Sequence, residues 1–370
     1  MDPGVVLTHL FLGVGLGIVM HRSDFCIAGA FRDIFLTRDF FRLRALFLLV
    51  CVTSVLVYLG RQTGLITSYP PSFFGAPSPM NLAAGMIFGI GMVLAGGCIT
   101  GTLYKMGTGN FISLFAFAGL LLGTFLFGLV YPFYRPFAEG LVLKGPFTAL
   151  EHVTGSLPQV GILLLLSCFF LFQGGRKLWV RNSYARGYLE PWKAALVIAF
   201  LILISFTVTG RPLSVTTGFT KIADSVAEQI VPGHRSYVGD SPVRLFYGKV
   251  VDRSNLSGPD PAVLAQIPMI FGIVAGSFFS SLLLGEFSFR KFPPFRQVCS
   301  GFFGGTLMGI GSLMAGGCNV WHFMGGLPLL VFQSILFTCG VVFGVFIGSR
   351  ILVRTILKLE EVYPVGNYSH

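Results

Sequence analysis

Gly89-Ile90-Gly91-Met92-Val93-Leu94-Ala95-Gly96-Gly97-Cys98 and Gly309-Ile310-Gly311-Ser312-Leu313-Met314-Ala315-Gly316-Gly317-Cys318 are one phrase written twice. Seven of the ten positions are identical, 220 residues apart. Each phrase closes an apolar stretch and ends in Gly-Gly-Cys with a polar residue within two positions, Thr100 or Asn319. An internal repeat whose best-matching end is a thiol implies two similar halves, each bringing one cysteine to a comparable place.

Composition sets the environment of those halves. Apolar residues make up 54% of the 370 and charged residues only 11%, whereas a soluble chain carries about 25% charged residues. Several apolar runs reach the ~20 residues that span a bilayer. The chain therefore reads as an all-α, polytopic membrane protein embedded in a lipid bilayer. Its net charge of +11 reflects cytoplasmic loops beside anionic lipid rather than a nucleic-acid site. Seven cysteines stand at 26, 51, 98, 168, 299, 318 and 339, none in CxxC or CxH spacing, so no zinc site, redox dithiol or cofactor is expected. Cys51, Cys168, Cys299 and Cys339 lie within apolar runs and read as small hydrophobes.

About nine spans are expected, near 5–20, 44–60, 81–97, 111–131, 158–174, 193–209, 262–285, 298–317 and 327–350. The loops after spans one, three, five and seven, with the C-terminal tail and the adjoining span edges, hold 17 of the 26 basic residues. The positive-inside rule then places the N-terminus in the periplasm and the C-terminus in the cytoplasm. In that orientation span three runs inward to Cys98 and span eight runs outward to Cys318, so the halves form inverted-topology repeats. The first half covers 1–157 and the second 193–358, with a helix and basic cytoplasmic loop at 158–192 between them and a tail at 359–370. A weaker match supports the pairing: aligning Arg22 with Arg211 aligns Gly29 with Gly218 and Cys26 with Val215. The third thiol thus has no twin.

Segments near 21–38, 98–110, 210–224 and 318–326 are too short or polar to cross, yet too apolar for ordinary loops. They read as short re-entrant segments meeting near the middle, since irregular backbone at membrane depth must be buried in protein or line a wet cavity. Ordinary turns at the membrane surface are the competing reading.

The spans carry no Asp, Glu, Lys or Arg in their apolar interiors, which argues against a proton relay or a voltage sensor. The groups left to meet a polar solute are the thiols of Cys26, Cys98 and Cys318 and the backbone N–H groups of Gly96, Gly97, Gly316 and Gly317. Asn319, Thr100, Thr102, Ser23 and His322 add polar side chains, with Arg22 and Arg211 at the segment entrances. Gly-rich turns favour negative charge, and a thiol is a soft partner for a terminal sulfur. The set suits a sulfur-containing anion handed along without tight binding. The glycine pairs also fit plain helix packing, as the Gly340, Gly344, Gly348 series does. Asp24 and Asp33 are expected to offset Arg22 and Arg32 locally.

At these residues the chain resembles the YeeE/YedE family of membrane proteins, whose better-described members take up thiosulfate. The likeness rests on His21-Arg22-Ser23-Asp24-Phe25-Cys26 and on the two Ala-Gly-Gly-Cys phrases, the second continuing as Asn319. The resemblance implies nine spans in inverted halves and three substrate-contacting cysteines, Cys26, Cys98 and Cys318. It also implies a bacterial inner-membrane importer, with a small TusA-like sulfur carrier as cytoplasmic partner. A selenium-compound transporter of the same fold is one alternative. A membrane sulfurtransferase carrying a cysteine persulfide is another, with Arg22 lowering the thiol pKa. A third is a docking subunit using Arg176, Lys177 and Arg181.

Overall fold

A computed structural model describes residues 3–66, 74–143, 187–209, 211–230, 243–244, 250–251, 261–287 and 293–355, with Gly161 and Trp179 besides. Its helices are α1 (Pro3–Ser23), α2 (Ile27–Leu36), α3 (Phe41–Gln62), α4 (Pro79–Leu94), α5 (Ile99–Gly107) and α6 (Phe111–Gly140). They continue as α7 (Pro191–Thr209), α8 (Thr216–Ile230), α9 (Pro261–Leu283) and α10 (Phe295–Met314), then a π-helical turn (Val320–Gly326) and α11 (Phe332–Thr355). A two-stranded antiparallel pair joins Val243–Arg244 to Val250–Val251.

Sequence chemistry explains several helix starts. Ser78 and Asn81 form a reciprocal capping box over Pro79 at the head of α4, and the Asn110 side chain accepts the Ser113 N–H at the head of α6. Large apolar side chains such as Phe133, Phe271, Phe303 and Phe343 point outward, the surface a bilayer covers. This is a multi-pass membrane protein. Among the described residues, seven helical stretches are long and apolar enough to cross. Apart from Gly161, the expected span at 158–174 lies outside the described residues. Helix α10 occupies the expected span at 298–317, but it is not one of the seven. Five glycines, Arg296, Gln297, Ser300, Thr306 and Ser312 dilute its apolar character. Of the cysteines assigned to apolar packing, Cys51 is buried but Cys339 is exposed on α11, and Cys168 lies outside the described residues.

The packing has a reciprocal form. Matching α1, α2, α3, α4, α5 and α6 in order to α7, α8, α9, α10, the π-helical turn and α11 turns each of its main pairings into another or, for α4 with α10 and α1 with α7, into itself. Thus α4 packs on α11 and α10 on α6; α1 packs on α9 and α7 on α3; α2 meets α11 and α8 meets α6. Close backbone approach makes the two largest contacts possible. Gly340 and Gly344 lie against the backbone of Leu82 and Met86, and Gly305 and Gly309 against that of Ala116 and Leu120, where an added Cβ would collide.

Each of the four unusual segments named from the sequence holds a short helical element: α2, α5, α8 and the π-helical turn. Their first residues gather at the centre of the bundle, among the buried core.

Candidate functional site

The repeated phrase is a helix end joined to a helix start. At the end of α4 the Gly96 N–H bonds to the Val93 carbonyl at 3.2 Å and the Gly97 N–H to the Met92 carbonyl at 3.1 Å. The end of α10 repeats this, with Gly316 to Leu313 at 3.1 Å and Gly317 to Ser312 at 2.8 Å. This is the pair of hydrogen bonds that closes a helix through a left-handed residue. Gly96 (φ +72°) and Gly316 (φ +74°) supply that residue. The four glycine N–H groups are therefore used inside the turns. The expectation that they offer free donors to a solute gives way to a different role, aiming the next residue, cysteine, at the start of a new helix. Gly96→Ala, forced into a left-handed backbone, is expected to cost about 1 kcal/mol and to lower Tm in detergent without changing the helix content.

Cys98 caps α5: its Sγ accepts the Gly101 N–H at 3.3 Å and lies 3.4 Å from Thr100 Oγ1. Cys26 occupies the same position on α2, with extended backbone and its carbonyl accepting the Ala30 N–H at 2.9 Å. The two thiols meet, the Cys26 S–H pointing to Cys98 Sγ at 3.8 Å. Two helix N-termini thus converge on one pair of sulfurs, each leaving first-turn N–H groups without an intrahelical carbonyl.

The second half builds a related corner. The Cys318 N–H donates to Thr216 Oγ1 at 3.0 Å, and its thiol lies against the backbone of Val320, Trp321 and Val215. Val215, aligned with Cys26 from the sequence, immediately precedes α8 as Cys26 precedes α2. Asn319 links the corners. Its carboxamide lies beside the Cys98 thiol, yet neither Nδ2 nor Oδ1 makes a hydrogen bond of normal geometry among the described residues, and the residue is fully buried. A buried amide with no partner is costly, and it stands where a polar solute would satisfy it.

The remaining candidates divide. Arg22 does not address Cys26; its guanidinium packs against Gly187 and its carbonyl accepts the Leu189 N–H at 3.0 Å. Ser23 is occupied locally, donating to the Val19 carbonyl at 2.6 Å. His322 is a held core residue, Nδ1 on Ser334 Oγ at 2.9 Å and its ring stacked on Phe337. The Thr102 hydroxyl is buried without a hydrogen bond among the described residues, and Arg211 accepts at its carbonyl from Ser205 at 2.9 Å. Sequence reasoning missed Arg42, at the start of α3, which takes Asp24 and Asp33 together; Arg32 contributes a 3.5 Å contact to Asp33. It also missed the placement of Lys105, whose Nζ caps α4 on the Gly96 carbonyl at 2.8 Å and stands within electrostatic reach of Cys26.

A model of the family described as sulphur transport matches residues 22–347, a stretch that contains Cys26, Cys98 and Cys318. The chain belongs to the sulphur-transport family. It is similar to the thiosulfate transporter TsuA of Spirochaeta thermophila, 30% identical over 373 residues that cover 95% of this chain and 100% of that protein. It is similar also to the thiosulfate transporter TsuA of Escherichia coli K12, at 27% identity over 93% of this chain and 94% of that one. The probable transporter YedE of Salmonella typhimurium matches at 28% over 53% of this chain and 46% of its own length. Membership of this family makes the protein a transporter of sulfur compounds.

Proposed function

We propose that the protein imports thiosulfate, or a closely related sulfur anion, across the bacterial inner membrane, passing it between the thiols of Cys26, Cys98 and Cys318. The observation that carries this reading is the meeting of the Cys26 and Cys98 thiols at 3.8 Å, where the N-termini of α2 and α5 converge. The S–H groups suit the soft terminal sulfur, while the first-turn N–H groups and the Asn319 amide suit the oxygens. Cys318, with Thr216, offers the next thiol. Weak S–H contacts on both sides let the anion enter and leave, as conduction requires. The names of the TsuA relatives support thiosulfate as the substrate.

The proposal takes α1–α6 and α7–α11 as inverted repeats with re-entrant α2, α5, α8 and π-helical turn; the exchange of packing partners between the two sets supports it. It takes the N-terminus as periplasmic and the C-terminus as cytoplasmic, from the distribution of basic residues. A TusA-like carrier that consumes the sulfur at the cytoplasmic face would give the transport its direction.

The test is uptake of sulfur-labelled thiosulfate into proteoliposomes, with sulfate, sulfite and selenite as competitors. Uptake that thiol alkylation blocks and sulfate leaves unchanged is the expected result. Uptake that sulfate competes away equally would remove the thiol-based selectivity. A protein that ignores thiosulfate and takes up selenite would be a selenium transporter of the same fold.

A further inference from the structure

Arg42, Asp24, Asp33 and Tyr104 form a charged cluster on one side of the Cys26–Cys98 pair. Arg42 Nη2 pairs with Asp24 Oδ2, and Nη1 donates to Asp33 Oδ2 at 2.7 Å. Tyr104 OH donates to the other Asp24 oxygen at 2.8 Å. The cluster reaches the thiols through Gly29: a Cβ there would touch Arg42 Nη1 at 3.3 Å and the Cys26 Cβ at 3.7 Å. It also ties the two helices that carry the thiols, since Asp24 precedes α2 and Tyr104 lies on α5. The exposure rises outward, with Asp33 at 17%, Arg42 at 28% and Asp24 at 54%. Asp24 holds a left-handed backbone (φ +48°) two residues before Cys26. The cluster thus runs from the buried thiols to an exposed carboxylate at Asp24.

We propose that Arg42 is a second anion site, taking an oxygen of a divalent sulfur oxyanion on the far side of Cys26, with Asp24 as the built-in competitor. This rests on the transport reading above. With Nη1 held by Asp33, Nη2 offers an oxygen of the anion a charge-assisted hydrogen bond once Asp24 leaves it. Left alone beside the thiols the guanidinium would hold a dianion too firmly for passage. Two carboxylates already on the fork offset that attraction, so the anion exchanges with Asp24 instead of binding outright. Tyr104 keeps its hydrogen bond to the displaced carboxylate, and because Tyr104 lies on the Cys98 helix, the exchange is coupled to the thiol pair. Lys105 adds positive potential from the same turn of α5.

The test measures equilibrium binding of labelled thiosulfate in detergent and its uptake into proteoliposomes for the wild type, Asp24→Asn, Arg42→Lys and Arg42→Gln. Asp24→Asn removes the competitor, and Asn accepts the left-handed backbone at this exposed position. It is expected to bind about tenfold tighter and to turn over several-fold more slowly. Arg42→Gln is expected to bind about tenfold more weakly, with Arg42→Lys between it and the wild type. Unchanged or weaker binding in Asp24→Asn overturns the proposal, and that variant decides alone where Arg42→Gln does not fold. Unchanged binding in a folded Arg42→Gln overturns it equally. Wild type that binds thiosulfate in this Asp24-dependent way without taking it up overturns only the transport reading. Wild type that binds none overturns both.

Discussion

Cys98→Ala is expected to abolish thiosulfate uptake while leaving the protein folded. The Cys98 thiol is fully buried, it caps α5 through the Gly101 N–H, and it is the acceptor of the Cys26 S–H. Replacement by alanine removes one sulfur atom and one cap, a cost of about 1 kcal/mol, too small to unfold a bundle of this size. For transport the loss is of another order. A buried site built around a polar contact discriminates strongly against its removal, because the groups left behind stay unsatisfied. Uptake at saturating substrate is therefore expected to fall at least about a hundredfold. Cys98→Ser keeps the cap on Gly101 and so separates the two roles: stability should return to the wild-type value while uptake stays low, since a hydroxyl is a hard partner for a terminal sulfur. Cys318→Ala is expected to match Cys98→Ala in uptake, measured on protein of unchanged Tm. Wild-type uptake in both alanine variants would remove the thiol pathway.

Much of this site was legible from the chain, and the parts that were not share a physical cause. Hydropathy runs report burial in lipid directly, so the membrane class and most helices follow from them. The Ala-Gly-Gly-Cys repeat marked the ends of α4 and α10, because a left-handed turn residue leaves glycine as its trace at a definite distance from the next helix. The roles of those glycines were not legible. A Gly-Gly pair reads alike whether its N–H groups face a solute or close a helix, and only the bonds to Met92 and Ser312 decide. Contacts between elements distant in sequence were hidden for the same reason. Arg42 comes 16 residues after Cys26 in a run of basic residues that also satisfies the loop-charge pattern, so its side chain carried no separate signal. Arg22, only four residues before Cys26, drew the assignment instead, yet the α1–α2 turn sends it toward Gly187. Asn319 was singled out for following Cys318, but its position beside Cys98, in the other half, depends on how α5 and the π-helical turn pack.

A methyl group at Gly101 is expected to close the pathway without weakening the fold. A Cβ there would lie 3.0 Å from Cys26 Sγ and 3.3 Å from Cys98 Sγ, at the junction of the two sulfurs. Gly101 lies within α5 at a helical backbone position, where alanine is the better helix former by about 1 kcal/mol. The thiols must shift by a few tenths of an ångström to accept alanine, and they do so by giving up the space an anion would use. Uptake is expected to fall at least about tenfold in Gly101→Ala and further in Gly101→Val, because interiors packed at native density pass such displacements on rather than absorb them. Tm of the alanine variant should equal or exceed that of the wild type. Gly97→Ala is the matched control: its Cβ would make only ordinary contacts, the nearest with the Gly101 backbone at 3.5 Å, and its N–H keeps the bond to Met92. That variant should transport as the wild type does. If Gly101→Ala also transports normally, the anion does not pass between Cys26 and Cys98, and the 3.8 Å contact is a packing contact alone.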